Sequence, residues 1–183
     1  RPFDPPDPVQ SLGGSQIAAI TLGQSAWSLH FLGEDHAADN HAAMALALAQ
    51  AGNDAPTLSL AWFFSANLRR WQRNWSQLLP EAEAMLAAAQ QPTLHAIAEL
   101  LRDAARVNLD QPAIADGDQA LATVLTHTPM HEITARSVLA EIALAQGDLA
   151  AVKLQCQTAL AAAERLGNDH ANARLLELLA HGA

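Results

Sequence analysis

Histidines are the residues of this sequence best suited to bind a metal ion, but their spacing argues against a metal centre. The chain contains eight of them among 183 residues. His36 and His41 are five positions apart, which places them about 140° apart around a helix and on different faces. His127 and His131 are four positions apart, but Pro129 between them interrupts a helix. We therefore predict no metal centre and no cofactor, and we interpret the histidines as solvent-exposed or capping residues.

The common catalytic patterns are also missing from the sequence. Gly13-Gly14 has neither the lysine nor the preceding strand of a phosphate-binding loop, and no Gly-x-Ser-x-Gly segment marks a nucleophile. Acidic pairs such as Glu81 and Glu83 are two positions apart, so on a helix they lie on different faces. We predict that the chain is not an enzyme.

A cluster of tryptophan and arginine is the strongest candidate for a functional surface. An arginine over a tryptophan ring forms a favourable cation–π pair, and both residue types dominate the binding energy of protein interfaces. The alternative is that Trp62 and Trp71 pack in the core of a helical hairpin while the arginines are solvated. The cluster consists of Trp62, Arg69, Arg70, Trp71, Arg73 and Trp75.

Composition indicates an all-helical protein that does not bind nucleic acid or membranes. Hydrophobic residues make up 50% of the chain, many of them alanine, and aromatic residues only 4%. Alanine is the best helix former, whereas sheets are enriched in β-branched and aromatic residues. The net charge of −9 disfavours a basic binding face. No apolar run is long enough to span a bilayer and no signal peptide is visible.

A single cysteine, Cys156, precludes an intramolecular disulfide and fits a reducing compartment. We expect it to be a buried small hydrophobic residue rather than a reactive thiol. The predicted location is the cytoplasm. Because the sequence begins with Arg1 rather than methionine, we expect a processed product or an excised domain.

Turn and cap residues divide the chain into nine predicted helices. Its early prolines predict that residues 1–14 are extended or poorly ordered. Gly52 is predicted to be the left-handed cap of the second helix, and Pro80 to delay or kink the fourth. The first helix is expected to bury Ile17, Ile20, Ala26, Leu29 and Phe31. The predicted helices cover residues 15–32, 34–51, 56–71, 75–90, 93–109, 112–126, 130–145, 148–166 and 169–180.

Corners between paired helices recur with a nearly constant period. They fall at Gly33, Arg73, Asp110 and Gly147, at spacings of 40 (73 − 33), 37 (110 − 73) and 37 (147 − 110). The tripeptide Gly-Asn-Asp at residues 52–54 returns at 167–169, 115 positions later (167 − 52). A period of this size with two helices per unit predicts an all-α helical solenoid. The alternative is a non-repetitive helical bundle.

Small residues near these corners resemble those of the tetratricopeptide repeat, although Arg73 and Asp110 stand where that family has glycine. The resemblance implies a right-handed α-solenoid of about four helical hairpins and a C-terminal capping helix. The implied domain is 15–183, with units 15–54, 55–91, 92–128 and 129–168 and a cap at 169–181. The matching positions are Ala26, Gly33, Ala38, Ala45, Ala140, Gly147 and Ala159.

A narrower resemblance covers about residues 7–90. The order of residues 27–33, 45–49, 59–64 and 68–75 is similar to that in the repeat region of large bacterial signalling ATPases, including maltose-regulator-like activators and adenylyl-cyclase-linked ATPases. It implies a scaffold in signal transduction or transcription regulation.

We therefore predict a groove, lined by the first helix of each pair, that binds a protein or peptide segment. One alternative is an effector-sensing domain that binds a small molecule or peptide and controls an attached ATPase or output domain. Another is self-association through the leucine-rich last helix. The candidate partner-binding residues are Ser28, Asn67, Arg69, Arg70, Trp71, Arg73, Trp75, Arg102 and Arg136.

Overall fold

The computed structural model describes residues 14–167 and 172–181. The predictions for residues 1–13, for Asn168-Asp169 and for the start of the last helix lie outside these ranges. Within them the chain forms nine α-helices and one short 3-10 turn, with no strand. The helices are α1 (Gly14–Phe31), α2 (Asp35–Gly52), α3 (Ala55–Trp71), α4 (Trp75–Ala88), α5 (Pro92–Asn108), α6 (Gly117–His127), α7 (Glu132–Ala145), α8 (Leu149–Leu166) and α9 (Asn172–His181).

All four predicted corners adopt the same backbone turn. Gly33, Arg73, Asp110 and Gly147 each have a positive φ, between 55° and 82°. At each corner the amide of the following residue donates to a carbonyl five residues earlier, at 2.8–2.9 Å. This is the Schellman arrangement, which satisfies the last carbonyls of a helix. Arg73 and Asp110 thus adopt a conformation that favours glycine. The same turn therefore forms at corners that have no glycine.

The cap of α2 corrects one prediction. Gly52 is the last helical residue, and the left-handed residue is Asn53, with φ of 48°. At the end of α8 the left-handed residue is Gly167 itself. Asn53 and Gly167 are 114 positions apart, the same separation as between the corners Gly33 and Gly147. The repeated tripeptide is therefore one residue out of phase with the structural repeat.

Two helix starts also differ from the predictions. Pro80 does not delay α4, which begins at Trp75 and continues through the proline. α7 begins at Glu132, after the 3-10 turn Pro129–His131. α6 begins at Gly117 rather than 112 because the preceding loop is held elsewhere. The buried Asp103 carboxylate of α5 accepts hydrogen bonds from the amides of Ile114 and Ala115 at 2.8 and 2.6 Å.

Consecutive helices pack as neighbours along the chain, and the odd-numbered helices also pack on one another. α1 contacts α3, α3 contacts α5, α5 contacts α7, and α7 contacts α9. Among the described residues, no two even-numbered helices form a comparable contact. The odd-numbered helices therefore form one continuous row, and each even-numbered helix lies against that row. No described helix has the combined length and hydropathy that crossing a bilayer requires.

Small residues allow this close packing, with alanines inside the hairpins and a glycine between α1 and α3. The alanines that match the repeat family are buried: Ala26, Ala38 and Ala45 in the first hairpin, and Ala140 and Ala159 in the last. Gly23 is buried in α1, and a Cβ there would lie only 2.5 Å from Cδ2 of Phe64. The predicted buried face of α1 is partly wrong, since Ile17 and Phe31 are 63% and 50% exposed.

Candidate functional site

The C-terminal ends of α1 and α3 form a cleft with α9. Its cavity of about 260 Å³ is lined by His30, Phe31, Trp71, Arg73, Arg174 and Glu177. We call these six residues the aromatic–arginine cleft. Of these six residues, only Trp71 and Arg73 are among the partner-binding residues predicted from the sequence.

Aromatic rings form one wall of the cleft. The Trp71 ring lies 4.9 Å from that of Phe31 and 4.6 Å from that of Trp27, measured between centroids. The His30 ring is parallel to the Trp71 ring at 6.4 Å, and its Nδ1 is 2.6 Å from a carboxylate oxygen of Asp35. Trp71 is only half-buried. The wall therefore offers apolar ring surface to a ligand while neighbouring rings hold it in place.

Ion pairs form an alternating series beside the aromatic rings. Arg73 Nη2 donates to Glu177 Oε1 at 2.8 Å, and Arg174 Nη1 donates to Glu177 Oε2 at 2.7 Å. Arg174 Nη2 is 2.8 Å from Oε1 of Glu141, whose other oxygen is 3.6 Å from Nη1 of Arg70. The series joins the α3–α4 corner to α7 and α9. It runs from exposed charges at the mouth to buried charges at the floor.

Burial and neighbouring charges act against each other on the pKa values of this series. Burial lowers the pKa of Arg70, and the Glu141 carboxylate opposes that shift. Burial also acts to lower the pKa of Arg174, but Glu141 and Glu177 raise it above its ordinary value. Hydrogen bonds from Arg174, with the charges of Arg174 and Arg73, hold the pKa of Glu177 below its ordinary value despite some burial. Glu177 is therefore ionised at neutral pH between two guanidinium groups.

The polar floor beneath the cleft is incompletely paired. Asn67 Oδ1, Arg70 Nε and Glu141 Oε2 are buried and make no hydrogen bond to another described residue. Asn67 and Glu141 hold the same repeat position, six residues before a left-handed corner. Asn67 and Arg70, both predicted to bind a partner, are 0% and 2% exposed and present no surface to one.

Arg69 points away from the cleft, toward the even-numbered helices. Its Nη1 donates to Asp39 of α2 at 2.5 Å, and its Nε donates to Glu81 of α4 at 3.1 Å. The Arg70 guanidinium carbon lies 5.7 Å from the centroid of the Trp71 ring, so the expected cation–π pair is present. The alternative that the arginines of the cluster are solvated is therefore wrong for Arg69 and Arg70, whereas Arg73 is exposed.

The remaining predicted residues are dispersed. Arg102 donates to its neighbour Asp103 at 3.2 Å. Arg136 donates to Glu132 at 2.8 Å and to Gln155 of α8 at 3.0 Å. Trp75 is half-buried against the main core and lines a separate cavity of about 100 Å³, which also contains Arg73 and Arg174. Arg102 and Arg136 therefore already have acidic or polar partners within the chain.

Ser28 lies in a second cavity that adjoins the cleft. This cavity, of about 370 Å³, is lined by Gln24, Trp27, Ser28, Phe31 and Phe64. Phe31 lines both cavities. The Trp27 indole donates from Nε1 to the carbonyl of Phe64 at 2.7 Å, which fixes the boundary between α1 and α3.

Other potentially reactive groups have structural roles. In residues 14–167 and 172–181, no group of three or more His, Cys, Asp or Glu is arranged to hold a metal ion. Cys156 is buried as expected, and burial raises the pKa of its thiol to about 11. A cavity of about 430 Å³ beside the α5–α6 loop contains aspartates, but Asp116 and Asp148 each cap a helix.

Comparison with known proteins gives no match. No protein-family model, no curated protein and no solved structure is significantly similar to this chain.

The repeat register could have indicated the residues that sequence reasoning missed. Phe31 and Trp71 both stand two residues before a left-handed corner, so stacked hairpins bring them side by side. His30 and Arg70 are likewise equivalent, three residues before their corners. Nothing in the local sequence indicates Arg174 or Glu177, because they reach the cleft from the far end of the chain.

Proposed function

We propose that this chain is a non-enzymatic interaction domain built as a right-handed, tetratricopeptide-like α-solenoid. In this proposal four hairpins, at about residues 15–54, 55–91, 92–128 and 129–168, are followed by a capping helix. The concave face consists of the odd-numbered helices and binds a protein or peptide segment. The domain acts as a cytoplasmic scaffold in bacterial signalling or transcription regulation, and it binds neither nucleic acid nor membranes itself.

The row of odd-numbered helices is the observation that carries this proposal. α1, α3, α5, α7 and α9 pack in succession, and all four hairpins turn through the same left-handed corner. A stack of equivalent hairpins gives an extended surface that can accommodate a chain segment. The proposed surface includes a half-exposed Phe31 and a half-buried Trp71, of the aromatic class that dominates binding energy at interfaces.

The lining of the cleft supports a peptide rather than a small effector. Small-molecule sites are usually mostly apolar cavities with a few polar groups, and they bury most of their ligand. Half of the residues that line the aromatic–arginine cleft are charged, and a second cavity beside it shares the Phe31 side of its lining. Two neighbouring cavities of different chemistry suit successive side chains of an extended segment.

Selection from a random peptide library tests the function directly. The immobilised chain is screened against phage-displayed twelve-residue peptides, and recovered peptides are synthesised. We expect recovered peptides to bind and to slow amide exchange in residues 27–33 and 68–74. The Phe31→Ala variant should bind them more weakly, while Leu154→Ala, which removes an exposed leucine of α8, should not. Recovery of no binding peptide, or protection confined to even-numbered helices, would contradict the proposal.

The alternative is an effector-sensing domain that controls an attached ATPase or output domain. A ligand that binds only the folded state raises the melting temperature. A thermal-shift screen of small metabolites would favour this alternative if a compound stabilised the wild type but not the Trp71→Ala variant. Self-association through α9 has less support, because Leu175 and Leu178 are buried and only Leu176 is largely exposed.

A further inference from the structure

We propose that Glu177 occupies, within the chain, the position that an acidic side chain of the partner takes on binding. The preferred partner segment then carries a carboxylate next to an aromatic side chain. This inference rests on the proposed function and specifies the chemistry of its ligand. Its basis is the arrangement of Arg73, Arg174 and Glu177 beside the aromatic wall.

The structure already contains a carboxylate bound between two guanidinium groups at the mouth of the cleft. Glu177 accepts one hydrogen bond from Arg73 and one from Arg174, through different oxygens. Charge-assisted bonds of this kind are the stronger class of hydrogen bond, and arginine suits carboxylates geometrically. The two arginines are therefore positioned to bind an external carboxylate in the same way.

The Arg73–Glu177 ion pair is the part of this arrangement that a partner's carboxylate can replace. The side chains of Arg73 and Glu177 are 50% and 45% exposed, whereas that of Arg174 is only 12% exposed. An ion pair this exposed contributes little to stability. An incoming carboxylate can therefore replace Glu177 at Arg73 while α9 keeps its buried leucines in place. Arg174 stays fixed, because Glu141 holds its other guanidinium nitrogens.

Charge complementarity favours an acidic segment over a basic one. The chain carries a net charge of −9, yet around the cleft three arginines balance the carboxylates of Glu141, Glu177 and Asp35, the partner of His30. Displacing Glu177 from the arginines therefore leaves a positive excess that favours an acidic ligand. The ring surface of Phe31 and Trp71 lies in the same cavity, so an aromatic side chain can pack beside the bound carboxylate.

Matched peptides test the inference. Peptides recovered from the library are synthesised with each acidic residue either kept or changed to the corresponding amide. Their affinities are measured by fluorescence anisotropy for the wild type, Glu177→Gln, Arg73→Gln and Lys153→Gln. Lys153 is an exposed residue of α8 and serves as the control for removal of one charge. Circular dichroism and melting temperature establish that each variant is folded.

We expect Glu177→Gln to tighten binding of the acidic peptides about two- to five-fold, because an exposed ion pair no longer competes. Arg73→Gln should weaken their binding, and Lys153→Gln should leave it unchanged. The amide peptides should bind the wild type and Glu177→Gln equally. If Glu177→Gln proves unstable, salt dependence replaces it: added NaCl should weaken only the acidic peptides, through Arg73.

The outcomes separate this inference from the proposed function. Recovered peptides that lack acidic residues, or acidic peptides whose affinity does not rise in a folded Glu177→Gln, would overturn the role of Glu177 while leaving peptide binding intact. If Glu177→Gln is unstable, an affinity of the wild type for acidic peptides that does not change with added NaCl would overturn the role of Glu177 instead. Recovery of no binding peptide would overturn both proposals.

Discussion

Phe31 and Trp71 stand at the same position in successive hairpins, two residues before each left-handed corner, and their ring centroids lie 4.9 Å apart. The repeat thus places two aromatic residues 40 positions apart in direct contact. Trp27 and His30 border the same Trp71 ring. The contact belongs both to the stack of hairpins and to the wall of the cleft.

A double-mutant cycle should detect this contact. We expect Phe31→Leu and Trp71→Leu to show a coupling of about 0.5–1.5 kcal/mol in the free energy of unfolding, the range for aromatic pairs. Urea denaturation of the wild type, both single variants and the double variant gives the coupling. Additive single effects would show that the two rings contribute independently.

Substitution of Gly23 should destabilise the packing of α1 on α3. A Cβ at this position would lie 2.5–2.9 Å from three atoms of Phe64, so Gly23→Ala overpacks the interface. We expect a loss of about 1–3 kcal/mol in the free energy of unfolding. Gly52→Ala is the matched control, because the nearest atom to its added Cβ is 3.8 Å away. It should be neutral or stabilising, and an equal loss in both variants would contradict the overpacking explanation.

Introducing a glycine at one corner should stabilise the chain, and removing a glycine from another should destabilise it. Asp110 has φ of 57°, which is unfavourable for a residue with a Cβ, so Asp110→Gly should stabilise the chain by about 0.5–1 kcal/mol. Gly147 has φ of 77° with open space around it, so Gly147→Ala should cost about 1–2 kcal/mol from backbone strain alone. Melting temperatures of the two variants provide the measurement. A stabilising Gly147→Ala would show that this corner relaxes out of the left-handed region.

Glu132 should make stability depend on acidic pH. Burial alone would raise its pKa, but hydrogen bonds and charges of Arg136 and Arg165 lower it below the ordinary 4.5. A carboxylate whose pKa is lowered on folding stabilises the protein above its unfolded pKa, and this contribution is lost as pH falls through the folded pKa. We expect Glu132→Gln to cost about 1.5–3 kcal/mol at pH 7 and progressively less below pH 4.5.

Urea unfolding between pH 7 and pH 3 measures this change. Glu83→Gln, at an exposed position on α4, is the control for loss of one carboxylate, and its stability should follow that of the wild type across the series. A difference between wild type and Glu132→Gln that stays constant with pH would contradict the role of ionised Glu132.

Local sequence was sufficient to predict most of the helices and their corners, whereas the close-packed alanines were expected from the resemblance to a repeat family. Alanine-rich segments are strongly helical by themselves, and a cap is specified by residues within one turn of it. The corner at Arg73 could be predicted because Asn74, the next residue, is a favourable cap for the following helix, although arginine itself disfavours a left-handed turn. The start of α6 could not be predicted, because Asp103, which accepts hydrogen bonds from the amides of Ile114 and Ala115, belongs to the preceding helix.

By itself, the sequence determined an all-helical chain with corners at a nearly constant period, because helix propensity and capping act over a few residues. The tertiary structure alone decided which side chains meet. It buried Asn67 and Arg70, turned Arg69 toward α2 and α4, and brought Glu177 to Arg73 across about a hundred intervening residues. The physical reason is that side-chain environment depends on how helices stack, and electrostatic pairing between distant helices leaves no periodic pattern in the sequence.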